Sequence, residues 1–241
     1  MKILALETSA KAVSAAICQE DTVCASAFQD TGLTHSRTLM PLVELLMRNT
    51  GMRLQEMDGI AVAAGPGSFT GIRIGVAAAK GLAIAADKPL CGVSTLAGMA
   101  RLALPFNGLV VCCMDARRAQ IYNALFRAGS DGLERLSADR AIDLEDLAKE
   151  LAAEQAPILC IGDGAILTHS ALSKQGISCM LAPPSCRQQS AVGVAFEALA
   201  AGSFFPAQQL QPFYLRPPQA VRLKERMHSE QKTYGTHRSV L

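Results

Sequence analysis

A glycine-rich turn between two apolar segments is the first place where this sequence carries residues suited to chemistry. Residues 65–71 read GPGSFTG and lead into an alanine-rich segment that is predicted to be helical. The first amides of a helix are unpaired and carry partial positive charge, and glycines let an anion approach them. The turn is therefore a candidate phosphate-binding site, made of Gly65, Gly67, Ser68, Thr70, Gly71 and Arg73.

The turn matches neither of the two standard phosphate-binding motifs. A Walker loop ends in Gly-Lys-Ser/Thr, whereas Ile72 and Arg73 follow Gly71. A dinucleotide fingerprint has two residues between its second and third glycines, whereas three residues separate Gly67 from Gly71 here. In the alternative interpretation, the glycines serve only a tight turn and close helix–sheet packing, with Ser68 or Thr70 as a helix cap. Both interpretations stay open on the sequence.

Two carboxylates are placed where α/β proteins bind ligands. Glu7 follows an apolar strand at the start of the chain, and Asp115 follows the apolar strand 109–114. The carboxyl ends of strands are the ligand-binding edge of an open α/β sheet. A carboxylate at such a turn also caps it through the backbone, so the roles of Glu7 and Asp115 stay open. Neither a Gly-x-Ser-x-Gly elbow nor a His-Glu-x-x-His helix occurs.

The elements that position these residues occur twice. Segment 2–18 reads as two strands around the turn that contains Glu7, and segment 109–126 repeats this pattern around Asp115. Segments 59–67 and 158–164 are both apolar strands that end in a pair of glycines. Two half-length copies explain this repeat, and short, continuously apolar strands indicate sheets that are covered on both faces. The predicted fold class is α/β, with a mixed sheet covered by helices in each of two subdomains.

The predicted subdomains span residues 1–104 and 105–220, and residues 221–241 are predicted to be a mobile basic tail. Helices are predicted at about 35–50, 71–86, 94–103, 143–154, 165–175 and 190–202. Pro41 belongs in a first helical turn, so the first helix is predicted to begin near Thr38.

The overall charge excludes a strong electrostatic footprint for nucleic acid or membranes. The net charge is +2, the pI is about 8.1 and 18% of residues are charged. Any such contact must therefore be local. The apolar run before Glu7 is too short for the apolar region of a signal peptide. No uncharged apolar run is long enough to span a membrane, so a cytoplasmic location is predicted.

Two of the predicted helices leave apolar surface away from their core-facing stripes. The helix at 35–50 buries one leucine-rich stripe and leaves Met40 and Met47 on another face. The helix after the glycine turn is apolar all round, so its outer side must be covered by its own chain or by another. We predict a partner interface at Met40, Glu44, Met47, Ile74, Ala77, Ala78 and Gly81, with burial inside the chain as the alternative.

Several segments resemble the TsaB family. They are MKILALETSA at the start, AGPGSFTGIRIG at 64–75, PLCGVSTLAGMA at 89–100, MDAR at 114–117 and YLR at 214–216. The resemblance implies an actin-like, sugar-kinase-like ATPase fold, itself a duplicated ribonuclease-H-like unit, in agreement with the internal repeat. It also implies the non-catalytic partner in making threonylcarbamoyladenosine in tRNA.

The same resemblance implies that a metal site has been lost. TsaD, the enzyme of the complex and a relative of TsaB, carries an Asn-His-x-x-x-His stretch after the strand that follows its glycine turn. Thr95 and Met99 occupy the two ligand positions here, and a hydroxyl with a thioether is a poor ligand set for zinc, iron or magnesium. We therefore predict no catalytic residue, no metal and no firmly bound cofactor, with at most a weak ATP or ADP contact.

The leading hypothesis is a pseudo-enzyme subunit that docks on TsaD through the helices at 35–50 and 71–86. TsaE, an ATPase, would join the pair; the chain alone would form a homodimer, and tRNA would be reached indirectly through the complex, with no membrane contact. An ATP-dependent small-molecule kinase of the same fold and a metallopeptidase-like protein are the alternatives. Whether the basic residues Arg216, Arg222, Lys224 and Arg226 touch tRNA phosphates or are merely solvated stays open.

Overall fold

A computed structural model describes residues 1–117 and 119–216 of the chain. The first half forms a five-stranded sheet in the order β3-β2-β1-β4-β5. Its strands are β1 (Lys2–Glu7), β2 (Val13–Gln19), β3 (Thr22–Gln29), β4 (Gly59–Gly65) and β5 (Leu90–Ser94), and its helices are α1 (His35–Thr50), α2 (Phe69–Ala86) and α3 (Thr95–Arg101).

The second half forms another mixed sheet, in the order β11-β10-β6-β7-β8, with β9 also paired to β7. Its strands are β6 (Gly108–Asp115), β7 (Gln120–Gly129), β8 (Gly132–Arg135), β9 (Arg140–Asp143), β10 (Ile158–Ile161) and β11 (Met180–Leu181). Its helices are α4 (Leu144–Leu151), α5 (Ala165–Lys174) and α6 (Ala191–Ala201). Single turns of 3₁₀ helix lie at Leu54–Glu56, Pro184–Cys186 and Ala207–Gln209.

The two sheets have the same strand order and the same strand directions. In the first, β1 is antiparallel to β2 and parallel to β4, which is parallel to β5. In the second, β6 is antiparallel to β7 and parallel to β10, which is parallel to β11. The predicted α/β class, the duplication and the mixed sheet in each half are confirmed.

Helix α1 begins three residues before the predicted start. Thr34 precedes its first turn, and the hydroxyl of Thr38 donates a 3.2 Å hydrogen bond to the carbonyl of Thr34. Pro41 therefore lies inside the helix and removes the amide that would bond to the carbonyl of Arg37. The prediction near Thr38 was wrong because Arg37 is exposed, so water can satisfy its carbonyl.

Helices α3 and α6 are exchanged between the two halves. Leu96 and Met99 of α3 belong to the core beside the second sheet, whereas α6 lies over β1, β2 and β4 of the first sheet. The helices cross at Gly98 and Gly193, where a Cβ atom on Gly193 would collide with the carbonyl oxygen of Gly98. The boundary predicted near residue 104 separates the two sheets along the chain, but each core contains a helix from the other half.

Helix α2 covers the first sheet with a stripe of small and branched apolar residues. Ile72, Val76, Ala79 and Ala83 are buried in the same core as β1 and β4. By length and composition alone α2 would also fit a membrane span, with 39% of it buried inside the protein. Core helices of globular proteins share those two properties, so they carry little weight for a membrane contact.

Candidate functional site

The glycine turn between β4 and α2 is filled by the chain's own backbone. Carbonyl oxygens of Phe213, Ser9 and Thr8 occupy the positions where a Cβ atom on Gly65, Gly67 or Gly71 would stand. Gly65 and Gly67 also have φ angles of 126° and 159°. Glycine is needed here because two other segments approach the turn at backbone distance.

The first turn of α2 has its own cap and its own cover. The Ser68 hydroxyl accepts a 3.3 Å hydrogen bond from the Gly71 amide, and the Phe213 amide donates a 2.7 Å hydrogen bond to the Ala64 carbonyl. Phe213 belongs to an extended segment after α6, residues 204–216, that we call the strap. This geometry supports the packing interpretation of the turn, and phosphate binding by Ser68, Thr70 and Arg73 stays a prediction.

A cavity of about 410 Å³ lies between the two halves of the molecule. Its lining includes the β1–β2 turn, Asp115 at the end of β6, and Gly162 and Asp163 between β10 and α5. Lys11, Asp30, Arg187, Gln188 and Gln189 also line it. Charges of both signs therefore face this cleft.

The two carboxylates named from the sequence both cap turns beside the cleft. One oxygen of Glu7 accepts a 2.5 Å hydrogen bond from the Ser9 amide, and one oxygen of Asp115 accepts a 2.7 Å hydrogen bond from the Arg117 amide. Glu7 is 1% exposed, whereas Asp115 is exposed and lines the cavity. The turn-capping role is present at both positions, and Asp115 faces the cleft as well.

Burial dominates the electrostatics of Glu7. Removal from water raises its pKa to about 7, against the opposing effect of the hydrogen bonds from Ser9 and with a smaller contribution from the nearby negative charge of Asp163. The pKa of Asp163 is also raised by burial, and the hydrogen bond from Gln189 opposes that shift. Two carboxyl groups with a weakened tendency to ionise therefore lie where the two halves meet.

Asp163 is the residue of this cleft that the sequence reasoning missed. It accepts a 3.0 Å hydrogen bond from the side-chain amide of Gln189, which is 2% exposed. The signal was available, because residues 162–164 read Gly-Asp-Gly after β10 and repeat the glycine pair after β4. Because Asp163 lies between two glycines at the end of a strand, it could have been grouped with Asp115.

The two positions at which the family resemblance places the histidines of TsaD are both buried. Thr95 and Met99 are each 1% exposed. The Thr95 hydroxyl has no hydrogen-bond partner among the described residues, and the Met99 sulfur lies 3.7 Å from the side-chain nitrogen of Gln189. Within the described part of the chain, no group of three or more His, Cys, Asp or Glu residues could hold a metal ion.

The predicted partner interface is only partly open to solvent. Met40 and Glu44 of α1 and Ala77 and Gly81 of α2 are exposed. Met47, Ile74 and Ala78 are half-buried against the core between the two helices. Ile84, which was not predicted, extends the exposed apolar face of α2 and is 60% exposed. Ala77, Gly81 and Ile84 form the exposed ridge of α2. This ridge and Met40 of α1 are defined here as the docking face.

Comparison with known proteins decides the family. A family model described as TsaD, tRNA N6-adenosine threonylcarbamoyltransferase, matches residues 29–200. A Bacillus subtilis relative named tRNA threonylcarbamoyladenosine biosynthesis protein TsaB is 38% identical over 162 residues, which are 67% of this chain and 71% of the relative. The chain belongs to the TsaB family.

Two further matches agree with the TsaB family. The Escherichia coli protein of the same name is 38% identical over 55% of this chain, and the match spans little more than half of that relative, 58%. A crystal structure from Pseudomonas aeruginosa, described as an uncharacterized protein with similarity to the peptidase YeaZ, superposes with a TM-score of 0.77 at 29% identity. It covers 89% of this chain and 99% of its own, so the whole TsaB-like fold is shared.

Proposed function

We propose that the chain is a non-catalytic subunit that docks on a TsaD-type transferase and supports the formation of threonylcarbamoyladenosine in tRNA. The observation that carries the proposal is the docking face of α1 and α2. Met40 is 43% exposed and Ile84 is 60% exposed, although both lie on helices whose other sides are well packed. An apolar face of this kind on a folded domain is typical of a protein–protein contact.

The shape of the docking face fits a helical partner. Ala77 and Gly81 are one helical turn apart on the exposed ridge, and a Cβ atom on Gly81 would meet nothing within 4 Å. Small residues let a second helix approach closely, while Met40 supplies an adaptable rim. The transferase would therefore pack a helix across α2, and TsaE would join this pair. In the absence of the transferase, a second copy of the chain would cover the same face.

Two buried residues of α3 support a non-catalytic role. A threonine and a methionine stand where a TsaD-like enzyme needs imidazoles, and both are buried. The transfer reaction would take place on the partner, in the cytoplasm, and tRNA would be bound by the assembly. An ATP or ADP contact at the glycine turn would be weak, because Ser68 already caps the first turn of α2.

Gly81 offers a sharp test of docking. Gly81→Arg should keep the circular dichroism spectrum and should not lower the Tm, because its Cβ position is open and arginine favours a helix over glycine. It should weaken binding to the TsaD protein of the same organism at least tenfold in isothermal titration calorimetry. Gly81→Ala is the matched control and should bind within threefold of the wild type. Wild-type affinity in Gly81→Arg would contradict the proposed docking face.

Nucleoside analysis of tRNA tests the biological role. Depletion of the chain should lower threonylcarbamoyladenosine, the wild type should restore it, and Gly81→Arg should not. The kinase alternative predicts that the chain alone binds Mg-ATP with micromolar affinity, transfers the γ-phosphoryl group to the hydroxyl of a small compound and releases ADP. The peptidase alternative predicts one equivalent of zinc or iron retained through dialysis. If either result were observed and tRNA modification were unchanged after depletion, the proposed function would be wrong and the corresponding alternative would be favoured.

A further inference from the structure

The strap crosses the molecule from the first half to the second along one side of α2. Phe205 pairs with Leu90 of β5, and the carbonyl of Gln208 lies 3.4 Å from the side-chain nitrogen of Lys80. Phe213 then bonds to the end of β4, and Arg216 reaches the loop between β6 and β7. The strap therefore connects side chains that are distant in the sequence.

Arg73 is exposed to solvent, and two aromatic side chains contact its guanidinium group. Its guanidinium lies 3.7 Å from the centre of the Phe69 ring, and its Nε donates a 3.0 Å hydrogen bond to the Tyr214 hydroxyl. The rings of Phe69 and Tyr214 are themselves 4.7 Å apart. Arg73 is nevertheless exposed, so the stack fixes a planar cation with its outer side facing water.

A second arginine on an aromatic ring stands at the other end of the strap. Arg216 donates a 3.0 Å hydrogen bond to the carbonyl of Ala116 and another to the side chain of Gln120. Its guanidinium lies 5.5 Å from the centre of the Tyr122 ring. The neighbouring Arg117 is exposed. Lys80, Arg73, Arg216 and Arg117 together are defined here as the basic track.

Negative charge is nearly absent along this path. Segments 59–86 and 202–216, which form the first-half part of the path, contain no Asp or Glu. At the far end two acids lie beside the track: Asp115, one oxygen of which accepts a hydrogen bond from the Arg117 amide, and Asp143, which pairs with Gln120 across the β7–β9 ladder. Lys80 contacts the strap at Gln208, Arg73 contacts it at Tyr214 and Arg216 contacts the β6–β7 loop, so the cations follow one another along the strap.

We propose that the basic track is a direct contact surface for RNA, on which phosphates lie beside the cations and an unpaired base stacks on the outer face of Arg73. The inference rests on the proposed function in so far as tRNA is the RNA concerned. Cations along a line match the regular charges of a nucleic-acid backbone, and guanidinium planes are stacking surfaces for bases in single strands. The track goes beyond the predicted indirect route to tRNA.

Arg73 and Lys80 lie on the same exposed side of α2 as Ala77 and Ile84, each one helical turn before one of them, so the track borders the docking face. Lys80 and Arg73 contact the strap, whereas Ile74 and Ala78 pack toward the core shared with α1. Basic residues Arg222, Lys224 and Arg226 follow the end of the track in the sequence and lie outside the described residues. An acidic protein partner on the track is the competing outcome of the test.

The test measures binding of an in-vitro transcribed tRNA to the chain with its TsaD partner over a range of salt concentrations. Arg73→Gln combined with Lys80→Gln should weaken binding about tenfold and reduce the slope of log affinity against log salt by about 1.4 to 1.8, because two phosphate contacts are removed. Arg73→Lys should keep the salt slope but lose about threefold in affinity, because it keeps the charge without the plane. Arg117→Gln should reduce the slope by about 0.7 to 0.9 without disturbing the strap.

The control is Lys149→Gln combined with Lys174→Gln, which removes two charges far from the strap and should leave affinity and slope unchanged. Equal losses in the control and the track variants, or unchanged tRNA binding in the track variants, would overturn the inference. So would loss of TsaD binding in the track variants, which would make the track a protein contact. If the wild-type chain bound tRNA through the track but did not bind TsaD, the proposed function would fail and the track would stand.

Discussion

Nε of Arg73 donates a 3.0 Å hydrogen bond to the hydroxyl of Tyr214, 141 residues later in the chain. This bond ties the start of α2 to the strap, and the Phe69 ring packs between the same two residues. The next residues of the strap reach the β6–β7 loop through Arg216. The strap therefore links the start of α2 to the β6–β7 loop of the second half.

Substitutions of Tyr214 should separate the ring contact from the hydrogen bond. Tyr214→Ala should lower the free energy of unfolding by about 2 kcal/mol, because it removes an aromatic pair and a charged hydrogen bond on a partly exposed surface. Tyr214→Phe should cost about 1 kcal/mol or less, since the ring stays. Urea denaturation followed by circular dichroism measures both. Equal losses would mean that the ring contact with Phe69 contributes nothing.

The helix crossing gives a prediction about backbone contact. Gly193→Ala should lower the free energy of unfolding by about 2 kcal/mol, because the new Cβ meets the carbonyl oxygen of Gly98 and α3 and α6 must move apart. Alanine favours a helix over glycine by about 1 kcal/mol, so a loss requires the collision to outweigh that gain. Thermal and urea unfolding check the sign. A stabilised Gly193→Ala would show that the crossing is loose.

Gly81→Ala is the same substitution at a helical site without neighbours. Its Cβ position is open, so only the gain in helix propensity remains. We expect the free energy of unfolding to rise by about 0.5 to 1 kcal/mol. The same urea titration measures it beside Gly193→Ala. A loss of stability here would mean that α2 contacts another part of the chain at this position.

The elements followed from local patterns, whereas the exchange of helices did not. All six helices and the duplication with a mixed sheet in each half were predictable, because helical periodicity and an internal repeat are both visible in the sequence. The start of α1 was misplaced because a proline marks the first turn of a helix only where the carbonyl four residues earlier would otherwise be left without a partner. In α1 that carbonyl belongs to the exposed residue Arg37, so water can bond to it. The exchange of α3 and α6 was not predictable, since an apolar helix fits the face of either sheet.

The cleft was predictable in part and the strap was not. Glu7 and Asp115 were named because they end strands in the two copies, and the same argument applied to the second glycine pair would have named Asp163. The strap is extended, and its Pro- and Gln-rich sequence has no periodicity that predicts where it lies. Its contacts with Arg73 and with the β6–β7 loop depend on the finished fold.

The buried carboxyl of Glu7 predicts a specific dependence of stability on pH. Its pKa is raised from 4.5 to about 7, so between these values the folded state binds more protons than the unfolded state, and stability falls as pH rises. The full penalty above pH 8 is about 3 kcal/mol. Glu7→Gln should therefore gain stability over the wild type progressively from pH 5 to pH 8, because the amide oxygen can still accept from Ser9. Glu134→Gln, an exposed substitution on β8, is the control and should leave the wild-type pH profile unchanged. Parallel profiles for the wild type and Glu7→Gln in urea unfolding would show that Glu7 is ionised without cost, and the cleft would then be wetter than its packing implies.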